Sequence, residues 1–214
     1  GAALRQYVDG LRYLKQHVDI LVISLHKGAN ALFIVGGFQV VQVAIAEKIF
    51  VIGEDGGIGL GLMFAVAGVG TGVGPILARY FTGDRDRPLR VAITASYLVS
   101  TIGLVITAPL FSFNLVLLGL LLRGIGGGII WVFSTQLLLQ LVPNRVRGRI
   151  FATEFAIFSL LAAASAAVTG GALDVGLTVS GAIWWMSLLA LLPGLLWAVW
   201  MGVYQPSRPA QVEK

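Results

Sequence analysis

Apolar residues run through this chain in long blocks, and charge is confined to the short stretches between them. Residues 98–122 carry no charge at all. A helix needs about twenty apolar residues to cross a hydrocarbon layer about 30 Å thick. The pattern therefore predicts an all-α, polytopic membrane protein with six transmembrane helices at 20–46, 58–78, 91–110, 113–141, 150–172 and 181–204. Trp184, Trp185, Trp197 and Trp200 lie towards the two ends of the sixth, as an aromatic belt would. Ahead of the first, Leu4, Val8, Leu11, Leu14 and Val18 recur at steps of three and four, with Arg5, Arg12 and Lys15 between them. That is the period of an amphipathic helix over residues 1–19, either lying in the membrane surface or linking through solvent. Residues 205–214 form a polar tail.

Composition agrees with the pattern. Hydrophobic residues make up 57% of the 214 and charged residues 12%, with a mean hydropathy of +0.89, whereas soluble domains run near a quarter charged. The net charge of +5 would raise nucleic acid as a partner in a soluble protein. Here the basic residues sit in short clusters between apolar blocks, without the aromatic interleaving that stacks on bases, so no nucleic acid is expected. There are no cysteines, which excludes disulfides and thiolate metal sites, and no metal or cofactor is expected. Both histidines, His17 and His26, fall near the start, and the chain opens Gly1-Ala2-Ala3 as though it began inside a longer protein or had been trimmed.

Charge also gives direction. Arg5, Arg12, Lys15 and Lys27 group ahead of the first span; Arg79, Arg85, Arg87 and Arg90 flank the loop after the second; Arg145, Arg147 and Arg149 follow the fourth; Arg208 and Lys214 are in the tail. Lys48 falls on the other side among Glu47, Glu54, Asp55 and Asp174. The positive-inside rule then puts both ends of the chain in the cytoplasm, in a cell (inner) membrane.

Several intramembrane residues are candidates for function. The second span carries Gly68, Gly70, Gly72 and Gly74, and the fourth carries Gly124 and Gly128, all at the four-residue spacing that lets helices approach closely in lipid. The glycines do not form a nucleotide loop, because no Lys-Ser/Thr follows them. Arg123 lies about 15 Å into the fourth span, where an ionisable group is costly unless it serves a polar interior; a structural ion pair is the other reading. Gln39 and Gln42 share a helical face at a similar depth, fit either to line one cavity with Arg123 or to hydrogen-bond between helices. Glu154, near the start of the fifth span, suits a pairing with Arg145 or Arg149 at a helix N-terminus, or proton coupling.

The surface segment GLRYLKQHVDILVI, the acidic-glycine turn at 54–57, the glycine-rich span ending in Ala78-Arg79, the sequence Gly83-Asp84-Arg85-Asp86-Arg87 and the loop VPNRVRGRIFATEF together resemble helices seven to twelve of a major facilitator superfamily transporter, in its bacterial efflux-like branch. The resemblance covers nearly the whole chain. It implies one six-helix half of a twelve-helix fold built from inverted three-helix repeats, with substrate held between the halves. It further implies a missing N-terminal half as partner, a small organic substrate and protons as coupling ion. By position it points to Gln39, Gln42 and Arg123 as cavity residues, and to Arg79, Arg85, Arg87, Arg145, Arg147, Arg149 and Glu154 as cytoplasmic gating or topology residues. Ala78 stands where the usual loop has an acidic residue before its arginine, which assigns Arg79, Arg85 and Arg87 to topology first.

Two other classes compete. An intramembrane protease needs a nucleophile and base within the membrane, and neither Gly-x-Ser-x-Gly, His-Glu-x-x-His nor paired intramembrane aspartates occur, so no enzyme activity is expected. A self-contained six-helix channel or scaffold would need a polar ring around a pore, for which Arg123 is the one deep charge.

Overall fold

The computed structural model describes residues 15–203, so the predicted surface helix over 1–19 falls mostly, and the tail over 205–214 wholly, outside the described residues. Among the described residues there is no strand, and six helices are long and apolar enough to cross a membrane. These are α1 (Val18–Lys48), α2 (Gly57–Thr82), α3 (Asp86–Thr107), α4 (Phe113–Leu141), α5 (Asn144–Asp174) and α6 (Val179–Val203).

The order matches the apolar blocks, and the bounds differ for physical reasons. Apolarity marks the hydrocarbon thickness, whereas the hydrogen-bond ladder continues past it. Arg79 is therefore in the last turn of α2, and Arg145, Arg147 and Arg149 occupy the first turns of α5 instead of a loop. At the other end α3 stops at Thr107, short of Pro109, which cannot donate to the ladder and disfavours helix in the residue before it. Ala190 interrupts α6, because Pro193 lacks the N–H that would bond the Leu189 carbonyl.

Glycine sets the closest approaches. A Cβ on Gly70 or Gly74 of α2 would run into backbone of Leu121 or Ile125 in α4, and one on Gly124 or Gly128 into the carbonyls of Ala67 or Thr71. Pro75 deprives the Thr71 carbonyl of its helical donor, and Gly128 is the residue that packs over it. The two glycine pairs predicted for α2 part company here: Gly68 and Gly72 face open space. On its other flank α4 meets α3 through Gly119 and Gly126, against Gly103, Thr107, Ser96 and Ser100.

The helix contacts have an internal symmetry. α2 packs on α4 and α5 on α1; α3 packs on α4 and α6 on α1; α3 meets α6, and α1 meets α4. Exchanging α1-α2-α3 for α4-α5-α6 maps this set onto itself. The contact of α1 with α2 and with the turn Glu54–Gly56 between them has no comparable counterpart between α4 and α5.

Candidate functional site

Polar side chains inside the bundle form two layers, separated by a π-helical turn at Ala31–Val35 of α1. Such a turn breaks the regular ladder and frees backbone groups. The N–H of Gly37, just past this turn, donates to Ser165 Oγ of α5 at 2.9 Å. Gly36 packs its backbone against Ala162 on the same helix, so the irregular turn is clamped to α5.

The layer nearer the basic end is closed. Lys27 Nζ lies 2.7 Å from Glu154 Oε1, donates to Thr135 Oγ1 at 3.1 Å and sits 4.1 Å from the centre of the Trp131 ring. Lys27 is 2% exposed and Glu154 5%, so each charge is buried and compensated. Beside them, His26 Nε2 is 2.7 Å from Ser134 Oγ, and His26 Nδ1 is 2.9 Å from the Tyr97 hydroxyl. Ser134 spends its own proton on the Ile130 carbonyl, so it accepts from Nε2–H. Nδ1 then faces a hydroxyl able to donate to it, which fits a neutral imidazole whose ring lies tilted against Trp197, 4.5 Å between centres.

The second layer is open. The Arg123 guanidinium lies 4.3 Å from the centre of the Phe38 ring, and among the described residues it has no ion pair or hydrogen-bond partner. Gln42, one turn beyond Phe38 on α1, is buried with its Nε2 unpartnered. Gln39 is exposed on the flank of the same helix. No carboxylate is at hand: Glu154 is held by Lys27, and the other described acids, Asp19, Glu47, Glu54, Asp55, Asp84, Asp86 and Asp174, sit in end turns or loops.

Glu154 thus pairs with Lys27 instead of Arg145 or Arg149, and Lys27, grouped by sequence ahead of the first span, lies about 13 Å into α1. The sequence signal was present, since Lys27 is inside the predicted span 20–46 and obeys the same rule that singled out Arg123. His26, one residue before Lys27, obeys that rule as well, whereas Tyr97, Ser134 and Thr135 carried no such signal.

Three of the remaining arginines tie helix ends together. Arg79 pairs with Asp84; Arg85 donates to the carbonyls of Phe81 and Thr82, capping α2; Arg147 donates to the carbonyls of Leu139 and Val142, capping α4. Gln140 reaches the Asp84 carbonyl at 2.9 Å, joining the two basic loops. Arg87, Arg145 and Arg149 are exposed.

Compared with protein-family models, curated proteins and solved structures, the chain matches none.

Proposed function

We propose that this chain is one six-helix half of a secondary transporter of the major facilitator type, embedded in the cell membrane with both ends cytoplasmic. It would work with a second six-helix half to export a small organic molecule by alternating access, driven by protons. The observation that carries the reading is the exchange symmetry of the helix contacts. A unit of three membrane-crossing helices starts and ends on opposite sides, so a second copy in sequence is inverted, and paired inverted repeats are the architecture of rocking transporters.

Two further features fit. α1 and α4 are the symmetry mates that hold the two polar layers, which suits them to the midplane site of an inverted-repeat transporter. α2 and α5 are also mates, and both leave small residues exposed at helical spacing: Gly61, Ala65, Gly68 and Gly72 on one, Ser159, Ala163, Ala167 and Gly171 on the other. Small residues admit close helix approach in lipid, which suits these faces to a second bundle.

The test is transport. Expressed from its complete reading frame in an efflux-deficient bacterium, the protein should lower the accumulation of one or more fluorescent organic dyes, and a proton uncoupler should abolish the difference. A panel with no change in accumulation, or a difference that survives the uncoupler, counts against it.

A further inference from the structure

At the basic end of the bundle, where α3 starts and α6 finishes, a cavity of about 470 Å³ opens between the two helices. Its outer rim is charged, with Asp86, Arg87 and Arg90, and its deeper wall is apolar, with Val91, Ala198 and Met201. A second cavity of about 430 Å³ lies on the far side of the same ridge, lined by Thr82, Arg87, Pro88, Val91 and Ala92. Arg87 and Val91 are one turn apart on α3 and line both.

We propose that this ridge binds the headgroup of an anionic phospholipid, with Arg87 on the phosphate and the two cavities receiving the glycerol backbone and upper acyl chains. Polarity in the site falls along the direction in which it falls in a lipid, from a cation at the membrane surface to apolar walls one turn deeper. The exposed residues Leu98 and Ile102 on α3 and Leu195 and Val199 on α6 continue the apolar path below it. Basic pockets between helices at the membrane surface are the usual form of an anionic-lipid site.

Charge favours an anion over a zwitterion. Asp86 is engaged by Arg90, whose Nε lies 3.0 and 3.1 Å from its two oxygens, whereas Arg87 is exposed and has no partner among the described residues. The wall behind it is fixed. Trp197 Nε1 donates to the Arg90 carbonyl at 3.0 Å, and Thr94 Oγ1 lies 3.5 Å from Met201 Sδ, holding α3 and α6 at the spacing that leaves the cavity open. The inference needs the membrane setting and no part of the transport reading, so dye efflux and lipid binding can fail separately.

The test uses the full-length protein in dodecyl maltoside, titrated with palmitoyl-oleoyl phosphatidylglycerol or the matching phosphatidylcholine. Retained lipid is counted by native mass spectrometry, and the thermal midpoint is followed in parallel. Phosphatidylglycerol should be retained in preference and raise the midpoint. Arg87→Gln should weaken that retention about fivefold, the worth of one surface arginine against an anionic headgroup. Arg145→Gln, an exposed arginine at the same end but away from the ridge, should not. Ala198→Phe, which fills the deeper wall, should weaken retention with Arg87 still in place. Equal retention of the two lipids, or equal effects of Arg87→Gln and Arg145→Gln, overturns the proposal. So does equal protection by free glycerol phosphate, which would make the ridge a site for soluble phosphates.

Discussion

The two polar layers of α1 and α4 have similar materials and opposite states. Each has a cation deep in the bundle and a large aromatic ring against it, Trp131 over Lys27 and Phe38 over Arg123. Around Lys27 each partner is supplied from within the chain: a carboxylate from α5 and a hydroxyl from α4. Around Arg123 none is supplied by the described residues. A buried ion pair fixes helices relative to one another, while Arg123, half-buried and deep along its helix, is a cation without a counter-charge, which is costly in an apolar setting unless it faces a polar interior or something else provides the charge. The closed layer therefore joins α1 to α5, whereas the open one has no counter-charge among the described residues; under the proposed function a substrate or a second bundle would supply it.

The sharpest way to break this contrast is to open the closed layer. Glu154→Ala leaves Lys27 buried without its counter-charge and should destabilise the bundle by about 3–5 kcal/mol, read by unfolding in mixed micelles. The double variant Lys27→Met with Glu154→Leu should recover most of that loss; no recovery would mean that the pair is not the source of the effect.

Next in size is the glycine seam. Gly128→Val places methyl groups against the Thr71 carbonyl and should cost about 1–3 kcal/mol in the same assay. Gly72→Val, whose side chain meets open space, should leave the bundle's own stability nearly unchanged. A smaller loss, about 1 kcal/mol, is expected for Ser134→Ala, which takes away the acceptor of His26 Nε2–H while the rest of the histidine's surroundings persist.

Smallest of all is Arg123→Gln. With no ion pair or hydrogen bond to lose among the described residues, only the ring contact with Phe38, the variant should differ from the parent in stability by less than about 1 kcal/mol. A loss as large as that of Glu154→Ala would mean that Arg123 is structural, and would erase the distinction between the layers.

Much of the fold was legible in the sequence because a membrane-length helix announces itself locally. Each apolar block became a helix, and α4 took the bounds 113–141 expected of it. The interrupted interior of α1 was not legible: its π-helical turn is stabilised by Ser165, more than a hundred residues away. The site divides in the same way. Arg123 stood out by depth alone, a property of its own helix. The Lys27–Glu154 pair and the His26–Tyr97–Ser134 chain exist only once α1, α3, α4 and α5 are assembled, and Glu154 looked shallow because the ladder of α5 begins at Asn144, well before its apolar block. Gly68 and Gly72 satisfied the packing spacing as well as Gly70 and Gly74 did, and only the position of α4 separates the two pairs.

The most direct test of the account is the initial rate of dye efflux by Arg123→Gln in the complete protein, measured beside its thermal midpoint at matched membrane abundance. Efflux reduced to background with an unchanged midpoint is the expected result, because under the proposed function the open layer would serve transport and not folding. Efflux at the parental rate would contradict it and remove Arg123 from the site.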